Sequence, residues 1–364
     1  MTASPGRPGG HGDEDPGAAD GREPLPGTPV TAGTPGHRRR KLALRVTVIL
    51  LLCLMGGLHG ITERLTSNVA RVPAVFDGLD PAERPAQPTG EAARGLTFLL
   101  AGSDSLSSDP TTGTDAPSLL PGGQRSDVVM VVRLSPDRER AAVVSIPRDS
   151  WVLVPGQGMA KVNAAYSWGG PTLMVRTVEN LTGLRVDHFA VIDFAGFETL
   201  VDAVGGIDLA VVGTANAVDR FHLDGREALA YVRVRYGLPL GDLDRVRRQQ
   251  NALRALHSKI TSGDLLTDPF TAYQFVDAVS RSVSVDDTLT DADLRSFVFG
   301  LRHLGGGGIA FTTAPVTDVG QEGEQSVVHL DHERGAEVWR ALGEDRLAPY
   351  LEAHPASLLG EAPR

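Results

Sequence analysis

Large apolar side chains are almost absent from residues 1–37, which hold seven prolines and nine glycines. Such a segment buries too little surface to offset its ordering entropy, so the pattern predicts disorder. The basic cluster "RRRK" (38–41) leads into a continuous apolar run, "LALRVTVILLLCLMGGLHGI" (42–61). About twenty apolar residues match the thickness of a bilayer core. The pattern therefore predicts a transmembrane anchor over 42–61, with Arg45 snorkelling back to the headgroups. By the positive-inside rule, residues 1–41 are then a cytoplasmic tail and the remainder is extracytoplasmic. The competing reading is a cleaved signal peptide, but no small-x-small site comes directly after the run, and "VPA" (72–74) is distant. Residues 62–94 are polar and proline-containing, which predicts a linker.

From residue 95 the pattern changes. "GLTFLLAG" (95–102), "DVVMVVRL" (127–134), "RAAVVSIP" (140–147), "HFAVIDF" (188–194), "IDLAVV" (207–212) and "IAFTTAPV" (309–316) are short runs rich in β-branched residues, expected as buried strands. "GPTLMVRTVENLTG" (170–183), "AGFETLVDAVGG" (195–206) and "DHERGAEVWRALGED" (331–345) have helical spacing. Another helix should start at Thr290, where Asp293 completes a capping-box-like pair, and stop at the glycine run 305–308. Alternating strands and helices predict an α/β domain, a mixed sheet with helices on both faces, over 95–347. Residues 348–364 remain as a C-terminal tail.

Composition narrows the class. The net charge is −10, which argues against a nucleic-acid binder needing a broad basic surface. One cysteine, Cys53, excludes an intrachain disulfide and a cysteine metal site. Three of the 35 basic residues are lysines, Lys41, Lys161 and Lys259, so 32 are arginine. Against this acidic background "YVRVRYGLPLGDLDRVRRQQ" (231–250) concentrates five arginines. Such a patch is either a solvated helix face or a site for an anion, since guanidinium binds phosphate or carboxylate bidentately.

Four polar clusters fall at strand ends and in loops. Asp104 comes after the first strand in "GSDS", Arg125 and Asp127 open the next, and Arg148 and Asp149 ("PRDS") end the third, with Lys161 a loop further on. In the fourth, a helix starting near Leu243 would put Arg245, Arg248 and Gln249 on one face, with Arg247 pointing elsewhere. Arg233 and Arg235 sit at or past a helix end, where they suit either an anion or the helix dipole. Asp104 and Asp127 are the candidate metal ligands: two carboxylates completed by phosphate oxygens and water suit Mg2+. Alternatively, an aspartate after a strand is a turn former. The glycine run 305–308 precedes a strand, not a helix, so it is no phosphate loop. His329 and His332 lack the further ligands of a zinc site.

In order, "FLLAGSDS", "RSDVVMVV", "VVSIPRDSWV", "KVNAAYSWGG", "FAVIDFAGFETLVDAVGGIDL", "LDGREALAYVRVR" and "GDLDRVRRQQ" resemble the LytR–CpsA–Psr (LCP) family, of the actinobacterial type, over about 95–345. The resemblance implies a single extracytoplasmic LCP domain behind one membrane helix. It implies a Mg2+-dependent phosphotransferase that moves a glycopolymer from a polyprenyl (pyro)phosphate carrier to peptidoglycan, forming a phosphodiester. Carried over by motif, Asp104 and Asp127 would hold Mg2+, and Arg125 and Arg148, with Asp149 orienting Arg148, would serve catalysis. Lys161, Arg233, Arg235, Arg245, Arg248 and Gln249 would bind the lipid pyrophosphate. Two positions depart from the usual pattern: Leu106 stands where arginine is common, and Asp244 where glycine is common. Two rival functions remain open, a pyrophosphatase acting on the same lipid and a non-catalytic polyprenyl-phosphate-binding regulator of envelope assembly.

Overall fold

The computed structural model describes residues 68–104, 112, 125–212, 217–234, 238, 240–261, 269–294, 296, 308–360 and 362. The chain divides into two compact units, 1–56 and 57–364, and every described residue belongs to the second. Seven strands form one mixed sheet. Across it lie β1 (Ala70–Val72), β10 (Val283–Asp286), β7 (His188–Asp193), β2 (Leu96–Asp104), β3 (Arg125–Leu134), β4 (Ala141–Ser145) and β11 (Ile309–Thr313). β2, β3 and β4 run antiparallel in sequence, while β7 pairs parallel with β2 and β11 parallel with β4.

The near-continuous apolar runs of β2 and β3 reflect burial on both faces. Leu99, Ala101, Val129 and Val131 belong to one core, which also takes in α1 (Val162–Thr182), α6 (His332–Gly343) and α7 (Leu347–Ala353). Their alternates Leu100, Met130 and Val132 belong to a smaller cluster that includes Leu253 of α4 (Asp242–Thr261). A third cluster joins α4 to α2 (Phe194–Ala203), α3 (Gly225–Arg233), α5 (Pro269–Ser282) and β8 (Ile207–Val212). This is the mixed sheet with helices on both faces that the pattern predicts.

Three hairpins lie outside that sheet, and of their strands the pattern predicts only β8: β5 (Trp151–Val154) with β6 (Gly158–Lys161), β8 with β9 (Val218–Leu223), and β12 (Val316–Glu322) with β13 (Gln325–Leu330). Within the stretch expected as a linker, β1 pairs with β10, and Val72 and Val75 are buried. The capping box at Thr290 forms: Asp293 N donates to Thr290 Oγ1 (3.2 Å) and Thr290 N donates to Asp293 Oδ2 (3.0 Å). Residue 295 and residues 297–307 of the stretch expected as that helix and its stop lie outside the described residues.

The expected membrane helix and single-pass topology are corrected. Among the described residues no helix is long and apolar enough to cross a membrane. The longest helices among them, α1 and α4, are interrupted by charge: α1 carries Arg176 and Glu179 and breaks at Gly169–Gly170, and α4 carries four arginines, a lysine and two aspartates. Residues 1–41 and the run 42–61 lie outside the described residues.

Candidate functional site

Strand direction assembles the site. Because β3 runs antiparallel to β2 and β4, the start of β3 lies at the same sheet edge as the C-terminal ends of β2, β4, β7 and β11. Asp104 closes β2 and pairs in register with Arg125, which opens β3, just past a bulge between Gly102 and Ser103. Such a bulge twists a strand and re-aims the side chains beyond it. The side chains of Asp104 and Arg125 lie outside the described residues, as do Leu106 and the whole of Arg235.

Asp127, near the start of β3, is buried, and Arg148 Nη1 donates to its Oδ1. Arg148 lies just past β4, and its Nε is also 3.5 Å from Asp149 Oδ2 and 3.6 Å from Asp242 Oδ1. Burial alone would make this guanidinium easier to deprotonate. The charges of Asp127, Asp149 and Asp242 outweigh that, and its pKa is raised. Lys161, at the end of β6, sets its Nζ 3.1 Å from Asp149 Oδ1.

Arg245 reaches the same place from α4. Gln250, just over one turn further along the helix, donates to Ser145 Oγ (2.8 Å) and to Thr312 O (2.6 Å), which pins α4 over the ends of β4 and β11. Arg245 is thereby buried, and it forms an ion pair with Asp242, three residues back. Asp242 is a residue that sequence reasoning missed. Its only signal was an acid three positions before an arginine at a helix start, which reads as local charge balance. Yet its side chain is mostly buried, and beyond its ion pairs with Arg245 and Arg148 neither carboxylate oxygen accepts a hydrogen bond among the described residues. Burial pushes its carboxyl upward, Arg245 pulls it down, Asp149 pushes it up again, and the net shift is upward.

Arg148, Asp149, Asp242 and Arg245 line a cavity of about 490 Å³ whose far wall is the β12–β13 hairpin. Five of the expected residues, Asp127, Arg148, Asp149, Lys161 and Arg245, thus come together. Arg233 and Arg248 are placed on aromatic rings instead, Arg233 4.5 Å from the centroid of Phe194 and Arg248 4.9 Å from that of Tyr231. Phe194 comes directly after β7, so Arg233 still sits at the same sheet edge. Gln249 is half-buried, one turn beyond Arg245. Asp244 pairs with the exposed Arg247 at 3.2 Å and accepts from Leu240 N at 2.9 Å, so its extra charge goes to the arginine that points away.

Among the described residues no group of three or more histidine, cysteine, aspartate or glutamate side chains is placed to hold a metal. Asp127, Asp149 and Asp242 nonetheless supply carboxylate oxygens, the donor type that a hard cation takes. Asp149 and Asp127 both raise the cost of ionising Asp242, and among the described residues the Asp242 oxygens accept no hydrogen bond.

Arginines interleaved with carboxylates at one edge of a mixed sheet define an α/β protein with a charged cleft. The model of the LytR_cpsA_psr family matches residues 77–344, and the chain belongs to that family. It is 34% identical over 307 residues to the cell wall biosynthesis protein LcpA of Corynebacterium glutamicum, covering 71% of this chain and 58% of that one. It is 34% identical over 174 residues to an Enterococcus faecalis protein named polyisoprenyl-teichoic acid–peptidoglycan teichoic acid transferase TagU, covering 46% of this chain and 56% of that one. The chain thus spans less than two thirds of the length of either relative. The crystal structure of B. subtilis TagV is similar with a TM-score of 0.54 at 25% identity, over 70% of this chain and 97% of that one.

Proposed function

We propose that this protein transfers a glycopolymer from a polyprenyl (pyro)phosphate carrier onto a peptidoglycan hydroxyl, forming a phosphodiester link. The observation that carries this reading is the pairing of two largely buried guanidiniums, Arg148 and Arg245, with the carboxylates Asp127, Asp149 and Asp242 around one cavity. Guanidiniums held in place out of bulk water stabilise a transferring phosphoryl group with little reorganisation. The name of the Enterococcus faecalis relative, which states such a transfer, supports the same reaction class.

In this reading the acceptor hydroxyl attacks the phosphorus that bears the glycan. The P–O bond to the lipid phosphate breaks, and the lipid phosphate departs with the bonding pair. Arg148 and Arg245 neutralise the charge that builds on the phosphate oxygens, with Arg125, Arg233, Arg235 and Gln249 supplying further donors and Arg248 flanking them. Asp149 orients Arg148, and Lys161 holds Asp149. Asp242, whose carboxyl is easier to protonate than usual, is the group best suited to take the acceptor's proton. Bound Mg2+ would be held by Asp127 with Asp104 and would supply charge neutralisation at the pyrophosphate.

The test incubates the full chain with a polyprenyl pyrophosphate-linked short glycan and peptidoglycan oligomers, with and without Mg2+. Mass spectrometry reads the products. A glycan–phosphate–peptidoglycan adduct that disappears in Arg245→Ala supports the transferase. Release of polyprenyl phosphate without adduct turns the assignment to a pyrophosphatase. Donor binding without turnover under any metal turns it to a binding protein.

A further inference from the structure

Beside the anion cavity lies a second one, of about 460 Å³, separated from it by Arg148 and Asp149, which line both. The dividing loop is clamped from two sides. Val162 N donates to Ser150 O (2.9 Å) and Asn163 N to Arg148 O (3.2 Å), fixing the start of α1 to it. Val328 N donates to Asp149 O (2.9 Å), fixing β13. The second cavity is therefore a built concavity, held at a fixed distance from the arginines.

Its lining has a distinct chemistry. Lys161, Asn163, Ser167 and Gln325 offer hydrogen-bonding groups, and beside them stands Trp168, 52% exposed. A tryptophan is normally buried for most of its area. Here the helix itself presents it: α1 leaves helical geometry at Gly169 and Gly170, so Trp168 ends the first segment. A side chain at Gly169 would collide with Leu173, its Cβ lying 2.5 Å from Leu173 Cβ, so the break needs a glycine there. An indole face next to neutral amide and hydroxyl groups matches a hexose, which has an apolar C–H face and a rim of hydroxyls. A lipid chain in the same place would desolvate the Lys161–Asp149 ion pair and cover the amides of Asn163 and Gln325 without offering them hydrogen bonds, a cost that apolar contact does not offset.

We propose that this second cavity is a hexose-binding subsite, with Trp168 as its stacking platform and Asn163, Ser167 and Gln325 as its hydroxyl partners. It rests on the transferase reading only in its role, which is to hold a sugar unit within reach of the phosphate at Arg148. Two sugars have that chemistry, the first hexose of the donor and a sugar of the acceptor strand.

Calorimetric titration of the full chain separates them. One arm uses a peptidoglycan-derived tetrasaccharide of N-acetylglucosamine and N-acetylmuramic acid, and the other a hexose 1-diphosphate, each with and without saturating inorganic pyrophosphate. Tetrasaccharide binding that survives pyrophosphate assigns the subsite to the acceptor. Binding of the hexose diphosphate alone, displaced by pyrophosphate, assigns it to the donor. In either case Trp168→Ala weakens the sugar about tenfold, and Trp168→Phe recovers much of the loss because a ring remains to stack on. Asn163→Ala, which leaves the helix break untouched, weakens it as well. Pyrophosphate binding reports that each variant is folded. If neither sugar binds, or if Trp168→Ala and Asn163→Ala bind it as the unaltered chain does, the proposal is overturned. A protein that binds the sugar through Trp168 but never forms adduct would sink the transferase reading alone.

Discussion

Lys161 Nζ stands 3.1 Å from Asp149 Oδ1, while the other oxygen of the same carboxylate is 3.5 Å from Arg148 Nε. One aspartate is thus shared between a lysine that lines the second cavity and an arginine that lines both. Lysine is rare in this chain, with three among 35 basic residues, and this one holds the partner of a site arginine in place. Lys161→Met leaves Asp149 to bind Arg148 more tightly, in competition with phosphate. Affinity for inorganic pyrophosphate is expected to fall roughly three- to tenfold, the scale of one partly exposed charge contact. Lys161→Arg should restore much of it. Unchanged affinity in Lys161→Met would show that the ion pair is only scaffold.

Arg148 and Arg245 should each be worth far more. Both are largely buried, and hydrogen bonds to charged groups contribute about 1.5–3 kcal/mol each. Arg245→Ala and Arg148→Ala should each weaken pyrophosphate roughly 10- to 150-fold by calorimetry. Lysine at either position should rescue poorly, because an ammonium cannot form the two-point contact. Equal binding by Arg245→Lys would remove the bidentate role.

The part of this site that was legible in the sequence is the part written in local runs. "RSDVV" and "SIPRD" mark strand ends by their apolar neighbours, so the sequence alone places Asp127, Arg148 and Asp149 at strand ends. Arg233 and Arg248 could be put beside the site, but their seats on Phe194 and Tyr231 depend on pairs of elements meeting in space. Asp242 and Trp168 carry no periodic signal. Asp242 matters because the start of α4 meets Arg148 just past β4, and Trp168 because a helix breaks after it. The three hairpins were missed for a related reason: β9, β12 and the exposed positions of β6 have too little apolar alternation to announce a strand.

Asp242 is where the geometry makes its sharpest chemical claim. Its raised pKa means the native state holds a proton that the unfolded chain releases, in the window between the ordinary 3.8 and the raised value. The cost of burying its charge is therefore present above that window and is relieved as pH falls through it. Asp242→Asn abolishes this dependence. In the transfer assay it should lower kcat by about 10²-fold or more, the usual scale for a lost general base, with the acid limb of the pH–rate profile gone. Pyrophosphate should bind at least as tightly, since a competing carboxylate has been removed. A kcat within a factor of about three of the unaltered chain would leave Asp242 as a charge balancer only.

Stability rests on a different pair. Glu179 of α1 is buried, and it accepts from Arg84 Nη2 at 2.6 Å and from Val186 N at 2.9 Å. Arg84 also donates to Val186 O at 2.6 Å and lies 5.0 Å from the ring centroid of Phe76. This ties residues 76–84, part of the stretch expected as a linker, to the core. Arg84→Ala leaves a buried carboxylate with one backbone donor, and should cost about 3–5 kcal/mol in denaturant unfolding. Arg176→Ala, which removes an exposed pair with Glu83, should cost no more than about 1 kcal/mol. Similar losses in the two variants would mean that the Arg84 contact does not hold the segment.

The hairpin that walls both cavities carries a pH-sensitive clasp. His329 of β13 lies between two carboxylates of β12, with Nδ1 2.5 Å from Asp318 Oδ1 and Nε2 3.1 Å from Glu322 Oε1. Gly320 makes room for the ring, since a Cβ there would lie 3.0 Å from His329 Cε1. Hydrogen bonding to Asp318, then to Glu322, raises the imidazole pKa above its ordinary 6.5. The clasp is therefore fully present below pH 6.5, where the ring is charged in both states, and is lost as pH rises through the folded pKa. The same hairpin supplies Val319, Ser326, Val327 and Val328 to the first cavity and Gln325 to the second. NMR titration should find His329 titrating above 6.5 and returning towards it in Asp318→Asn. Amide exchange across β12–β13, corrected for the intrinsic pH dependence, should speed up over the same range. A His329 that titrates at or below its ordinary value would show that the two carboxylates do not clasp it in solution.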